Sequence, residues 1–102
     1  LAFVFENVAN FATIENGSVA EMIISEMSDA GYAVSHGVLN AAEFGVPQMR
    51  KRFVACGVRG HRAPRLPLPT HGDSTLLGQK KIRTCRDALD DLPHRFFEFF
   101  KD

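Results

Sequence analysis

Residues 1–8, Leu1-Ala2-Phe3-Val4-Phe5-Glu6-Asn7-Val8, set five apolar side chains in a row and then break the run with a carboxylate and an amide. A continuous apolar stretch of this length, rich in Phe and Val, reads as a β-strand, and its lack of alternation predicts burial on both faces. The strand is assigned to residues 1–5, with Glu6 and Asn7 at its carboxyl end, the edge at which open parallel sheets bind ligands. Downstream, Asn16-Gly17 marks a turn, and Ser18-Val19-Ala20-Glu21 has the spacing of a capping box, so a helix is predicted to start at Ser18. Val19, Met22, Ile23 and Met27 recur at helical spacing and predict its buried stripe, and Gly31 supplies a left-handed stop. Tyr32 to Leu39 reads as a second strand. Arg52 to Val58 reads as a third, reversed strand, with Gly57 a bulge or a point of close approach.

Asn40-Ala41-Ala42-Glu43-Phe44-Gly45-Val46-Pro47-Gln48-Met49-Arg50 joins the last two strands and is long for a plain hairpin; loops of this length commonly carry function. From Gly60 the character changes. Pro64, Pro67 and Pro69, followed by His71-Gly72-Asp73-Ser74, exclude a central strand or helix and read as a linker. Residues 84–92 read as a short helix capped by Thr84, with Asp87 three residues on, and stopped before Pro93. Phe96, Phe97, Phe99 and Phe100 place four aromatic rings in five residues, which predicts self-association or packing on another part of a larger protein. The resulting class is α/β: strand, helix, strand, strand, then an irregular Pro-rich linker and a short helix. Three strands rarely suffice for a doubly wound domain, and the sequence has no initiating Met, so an interior portion of a longer protein is expected.

Composition narrows the field further. The 102 residues are 45% hydrophobic and 24% charged, which excludes a disordered or collagen-like polymer and suits one small domain. No apolar run approaches the roughly 20 residues of a membrane span, and no secretory leader pattern is present. Cys56 and Cys85 form neither a CxxC pair nor a disulfide framework, so a reducing, cytoplasmic setting is expected. His36, His61, His71 and His94 have no metal-ligand spacing with the cysteines, and no metal site is expected. The formal net charge of zero is unevenly laid out: residues 1–49 contain six carboxylates and no Lys or Arg, whereas residues 50–102 hold all 12 Lys and Arg against six carboxylates. A second half that faces a polyanion and two halves that attract each other both fit this asymmetry.

Taken together, Phe5-Glu6-Asn7-Val8, the Asn16-Gly17 turn with its capped helix, and the stretch from Val38-Leu39-Asn40-Ala41-Ala42 through Gly45-Val46-Pro47-Gln48-Met49-Arg50-Lys51-Arg52 resemble the cytosine-5 DNA methyltransferases. Glu-Asn-Val and Gln-x-Arg-x-Arg are two signature blocks of that family, here in its order and at its separation. The resemblance is dense to about Arg59. It continues more weakly through Pro69-Thr70-His71-Gly72 and Arg86-Asp87-Ala88-Leu89-Asp90-Asp91-Leu92-Pro93.

The resemblance implies a partial Rossmann-like class I methyltransferase sheet. Residues 1–59 would be the later part of the catalytic domain, and 60–102 a linker leading to the target recognition domain. It implies an enzyme that flips a cytosine out of DNA, attacks ring carbon 6 with a thiolate and transfers a methyl group from S-adenosylmethionine to carbon 5. Attack pushes electron density onto N3 and O2 of the ring, so a carboxyl at N3 and a cation at O2 stabilise the adduct. Glu6 matches the carboxyl and Arg52 the cation. Asn7, Gln48 and Arg50 match supporting positions, with Gln48 and Arg50 holding carboxylates, backbone or DNA phosphates. The family's Phe-x-Gly-x-Gly cofactor loop and Pro-Cys nucleophile loop are absent from the sequence. Cys56 reads as a small core residue, and Cys85 lies after the signature blocks, the wrong place for the nucleophile. The cofactor site is therefore expected mostly outside this chain, which alone is expected to be inactive. DNA and the remainder of the methyltransferase are the expected partners. Two other readings are a noncatalytic nucleic-acid-binding or complementing subunit of the same descent, and an RNA cytosine-5 methyltransferase.

Overall fold

A computed structural model describes residues 1–74 and 78–93; the aromatic tail and His94 lie outside the described residues. Its elements are β1 (Ala2–Val8), α1 (Ser18–Asp29), β2 (Tyr32–Asn40), β3 (Lys51–Arg59) and α2 (Cys85–Leu89), with short 3-10 turns after β1 and β2. The three strands form one sheet in the order β1-β3-β2. β3 is antiparallel to both neighbours, so β1 and β2 run the same way on either side of it. The chain is α/β, and the reversed third strand stands in the middle of the sheet.

The register sorts the side chains onto two faces, because residues alternate along each strand and directly paired residues share a face. One face carries the rows Phe3-Gly57-Val34, Phe5-Ala55-His36 and Asn7-Phe53-Val38. Here the core forms: Phe53 is 2% exposed, and with Ala55 and Ala20 of α1 it gathers Phe5, Phe11, Ala12, Ile24 and Val34. The rings of Phe5 and Phe11 lie 6.3 and 5.1 Å from that of Phe53, at the spacing of favourable aromatic pairs. The other face carries Ala2-Val58-Ala33, Val4-Cys56-Ser35, Glu6-Val54-Gly37 and Val8-Arg52-Leu39.

Four expectations change at this level. β1 is not buried on both faces: Phe3, Phe5 and Asn7 are half-buried while Ala2, Val4, Glu6 and Val8 are exposed, Val4 at 77%. The buried core contributed by α1 lies on one face only, and Leu66 near Gly37 reaches the other. The strand also runs on to Val8, so Glu6 and Asn7 lie within it rather than beyond it. The helix enters without a capping box. Glu15, Asn16 and Gly17 take left-handed backbone angles in succession (φ 50°, 57° and 86°), Gly17 is the cap, and the Ser18 hydroxyl donates back to the Glu15 carbonyl. The helix meets the core through Ala20 and Ile24 instead of Met22, which is 55% exposed. Val19, Ile23 and Met27 of the expected stripe are half-buried.

Gly31 does take the left-handed turn after α1, at φ 96°. Gly57 is a point of close approach within an unbroken register, with the Phe3 ring lying over it. α2 has the expected capping box, Thr84 Oγ1 accepting from the Asp87 amide and the Asp87 carboxylate from the Thr84 amide, although the helix stops at Leu89. The Pro-rich stretch lacks helix and strand but is anchored: the amides of Thr70 and His71 both donate to the Glu43 carbonyl, at 2.9 and 3.0 Å.

Candidate active-site strands

Glu6 and Arg52 are 46 positions apart in the sequence and become neighbours through the β1–β3 pairing. Glu6 faces Val54 and Val8 faces Arg52, so the two side chains stand diagonally on the same face. Arg52 Nε lies 3.5 Å from Glu6 Oε2, and the side chains are 30% and 60% exposed. This is the one ion pair among the described residues. The contact places a carboxylate beside a guanidinium at the end of the sheet where β1 finishes and β3 begins, with solvent at both groups.

The other sequence candidates part company with this pair. Asn7 projects to the opposite face, in the row of Phe53, and its Oδ1 accepts from the Val8 amide at 2.8 Å. Gln48 and Arg50 are exposed in the connection before β3. Their side chains form no hydrogen bond with described residues; the Gln48 amide donates to the Val46 carbonyl at 2.8 Å. Gln48, Met49 and Pro47 line a cleft of about 400 Å³ completed by Ala42 and the residues 82–85. Cys85 sits in that cleft with Sγ 3.5 Å from the Pro47 carbonyl oxygen. Cys56 lies inside β3 between Val4 and Ser35 and is half-buried.

The connection that delivers Arg52 is tightly organised. Asn40, the last residue of β2, caps a 3-10 turn over Ala41–Phe44, which Gly45 ends in a left-handed conformation at φ 90°. Asn40 Oδ1 accepts from the amides of both Ala42 and Arg50, and the Ala41 amide donates to the Arg50 carbonyl at 2.9 Å. The sequence offered one clue to this, an Asn directly before a short helical turn, the residue type favoured at such caps.

A family model for C-5 cytosine-specific DNA methylases matches residues 1–98. The chain belongs to that family. It is similar to the Type II methyltransferase M.BsuRI of Bacillus subtilis, at 42% identity over 92 residues that cover 88% of this chain and 21% of that protein. It is similar also to the Type II methyltransferase M.AquIA of Picosynechococcus, at 41% identity over 89% of this chain and 43% of that protein. The DNA (cytosine-5)-methyltransferase PliMCI of Paracentrotus lividus is 30% identical over 89% of this chain and 7% of its own length. The chain thus spans between about a fifth and two fifths of the first two relatives, M.BsuRI and M.AquIA. No helix among the described residues is long and apolar enough to cross a membrane.

Proposed function

We propose that this chain is the base-stabilising part of a DNA (cytosine-5)-methyltransferase, in which Glu6 and Arg52 hold a cytosine flipped out of the duplex while carbon 5 is methylated. The reading is carried by one observation: two residues from separate signature blocks form a partly exposed ion pair across adjacent strands. Nucleophilic attack at ring carbon 6 drives negative charge toward N3 and O2. A carboxyl group that carries the proton it donates to N3, and a guanidinium at O2, meet that charge as it develops, and the sheet holds both groups in place. Arg52 approaches Glu6 through Nε, leaving its terminal nitrogens for a further acceptor. The Glu6 carboxyl also reads the N3 and exocyclic amine edge that separates cytosine from thymine. Arg50 and Gln48, exposed just before β3, are assigned to DNA backbone contacts or to neighbouring acceptors.

S-adenosylmethionine would supply the methyl group. The residues present do not build its site: the β1–α1 turn contains a single glycine, Gly17, and the cleft beside it is walled by Ala20, Ile24 and Phe53 with Glu21, Ser25 and His36. No cofactor contact is therefore assigned to this chain. On this reading residues 1–59 belong to the catalytic domain, with the three strands as part of a Rossmann-like sheet, and 60–102 lead toward target recognition. The nucleophilic thiolate and the cofactor loop belong to the remainder of the enzyme, without which the chain is inactive. The Type II names of several relatives favour a role in restriction and modification.

Single-turnover methylation of a cognate duplex by the complete protein, with DNA affinity measured separately, tests the assignment. Arg52→Ala should slow methyl transfer by about 100- to 1000-fold, the usual effect of removing one stabiliser of developing charge. Glu6→Gln keeps the side-chain shape but removes the acid, and should slow transfer far more than it weakens DNA binding, which rests on phosphate contacts. Because solvent reaches both groups of the ion pair, breaking it should change folding stability by about 1 kcal/mol. A single-turnover rate within about twofold of the parent for either variant would make that residue a structural charge.

A further inference from the structure

The geometry points to Asn40 as a positioning residue for Arg52, an inference that rests on the role proposed above for Arg52. Asn40 closes β2 where its partner strand β3 opens, paired in register with Lys51. Its single side-chain oxygen receives two backbone donors from opposite ends of the loop it bridges: the Ala42 amide at 3.2 Å and the Arg50 amide at 3.1 Å. Its side-chain nitrogen faces Met49 Sδ at 3.8 Å. The first bond fixes the start of the 3-10 turn, and the second fixes the residue two positions before Arg52. With the Ala41 amide on the Arg50 carbonyl, both backbone groups of Arg50 are held from the Asn40–Ala41 end. The Asn40 side chain thus joins the Ala41–Arg50 backbone bond in setting the path of the chain into β3, and hence the point from which Arg52 projects toward Glu6. Without it the Arg50 amide has no partner of comparable geometry, and residues 45–50 can shift the start of β3 while the strand beyond stays paired.

An acceptor at Oδ1 is what the site requires, and the substitutions follow from that. Asn40→Leu keeps the volume and removes the acceptor; Asn40→Asp keeps the acceptor, loses the donor toward Met49 and adds a negative charge. Asn40→Ala, which removes the acceptor without adding apolar bulk, serves if Asn40→Leu does not fold. In the complete methyltransferase, Asn40→Leu is expected to lower the single-turnover rate by about 10- to 100-fold, the scale of a misplacement near 1 Å at a reacting group. DNA affinity should stay within about threefold, and Asn40→Asp should recover a rate within about fivefold of the parent. The discriminating measurement is the double variant. If Asn40 works by placing Arg52, then Asn40→Leu added to Arg52→Ala costs less than about threefold, whereas a residue that merely stabilises the loop costs the same factor in both backgrounds. An equal factor in the two backgrounds, or a single Asn40→Leu variant within twofold of the parent, overturns the inference while leaving Arg52 in place. An Arg52→Ala variant with the parent's rate overturns the underlying assignment instead.

Discussion

Gly57 offers a test whose sign changes with its neighbour. A Cβ built on Gly57 would stand 2.7 Å from Cζ and 3.1 Å from Cδ1 of Phe3, and closer still to Cε1. Carbon atoms attract best at about 3.5–4.0 Å, so the Phe3 ring would have to withdraw by about 1 Å or turn. It is not free to do so without loss, because it packs edge-on against Tyr32 with ring centroids 5.2 Å apart, and Tyr32 in turn carries the Arg59 guanidinium 5.0 Å from its ring centroid. Overpacking of this kind costs about 1–3 kcal/mol. Gly→Ala within a strand returns about 0.5–1 kcal/mol by limiting the unfolded chain. Gly57→Ala should therefore destabilise the protein by up to about 2.5 kcal/mol. Gly57 has an ordinary negative-side backbone, and the three atoms nearest to the added methyl group all belong to the Phe3 ring. In a Phe3→Ala background the same substitution should become neutral or stabilising, by up to about 1 kcal/mol. Urea unfolding of the four proteins of this cycle reads the coupling directly. An equal cost of Gly57→Ala with and without the Phe3 ring would show that the glycine is needed for its backbone or for some other neighbour, and the packing argument would fail.

Two further perturbations probe the core and the second helix. Phe53→Ala removes the largest fully buried side chain, seated between Phe5, Phe11 and His36, and should cost about 3–5 kcal/mol in the urea midpoint analysis; a loss under about 1 kcal/mol would mean the core is elsewhere. The Asp87 carboxyl is held below its ordinary value of 3.8 by the hydrogen bonds it receives from the Thr84 amide and hydroxyl. A lowered carboxylate contributes stability above its unfolded value and loses it as pH falls through the folded one, so α2 should fray progressively as pH drops below 3.8. Amide exchange at Ala88 follows this, and Asp87→Asn should flatten the acid limb; an unchanged profile in that variant would remove Asp87 from the cap.

The sequence and the structure agree where a residue's role is local and differ where it depends on what lies opposite. Gly31 ends its helix and Thr84 caps its own because each acts within four residues. The helix stripe shifted for a physical reason: periodicity weighs large side chains, whereas this helix approaches the sheet through Ala20, a small residue that permits close contact. The expected capping box failed because the chain reaches α1 through three left-handed residues, which leaves Ser18 one position too late to cap. Burial of β1 on both faces could not be settled from an apolar run, since it depends on what covers the second face. At the candidate site, the resemblance to the methyltransferase blocks singled out Glu6 and Arg52, but only the register reveals that they touch. Asn40 was read as part of a loop because its second partner is ten residues away.

The register also gives the Phe3–Gly57 fit a meaning beyond stability. Glu6 and Asn7 are adjacent in sequence and project to opposite faces, Glu6 toward Arg52 and Asn7 toward the row of Phe53. A slip of one residue in the β1–β3 pairing would exchange them, presenting an amide to Arg52 and burying a carboxylate beside Phe53. Such a slip is resisted at the far end of the same strand, about 10 Å away, where only a residue without a side chain can sit under the Phe3 ring. Moving any neighbour of Gly57 into that position would set Cys56 or Val58 against the ring. The aromatic ring and the glycine therefore act together as a register lock whose consequence is felt at the polar end of β1: the packing of Phe3 decides which of two neighbouring polar residues faces the guanidinium.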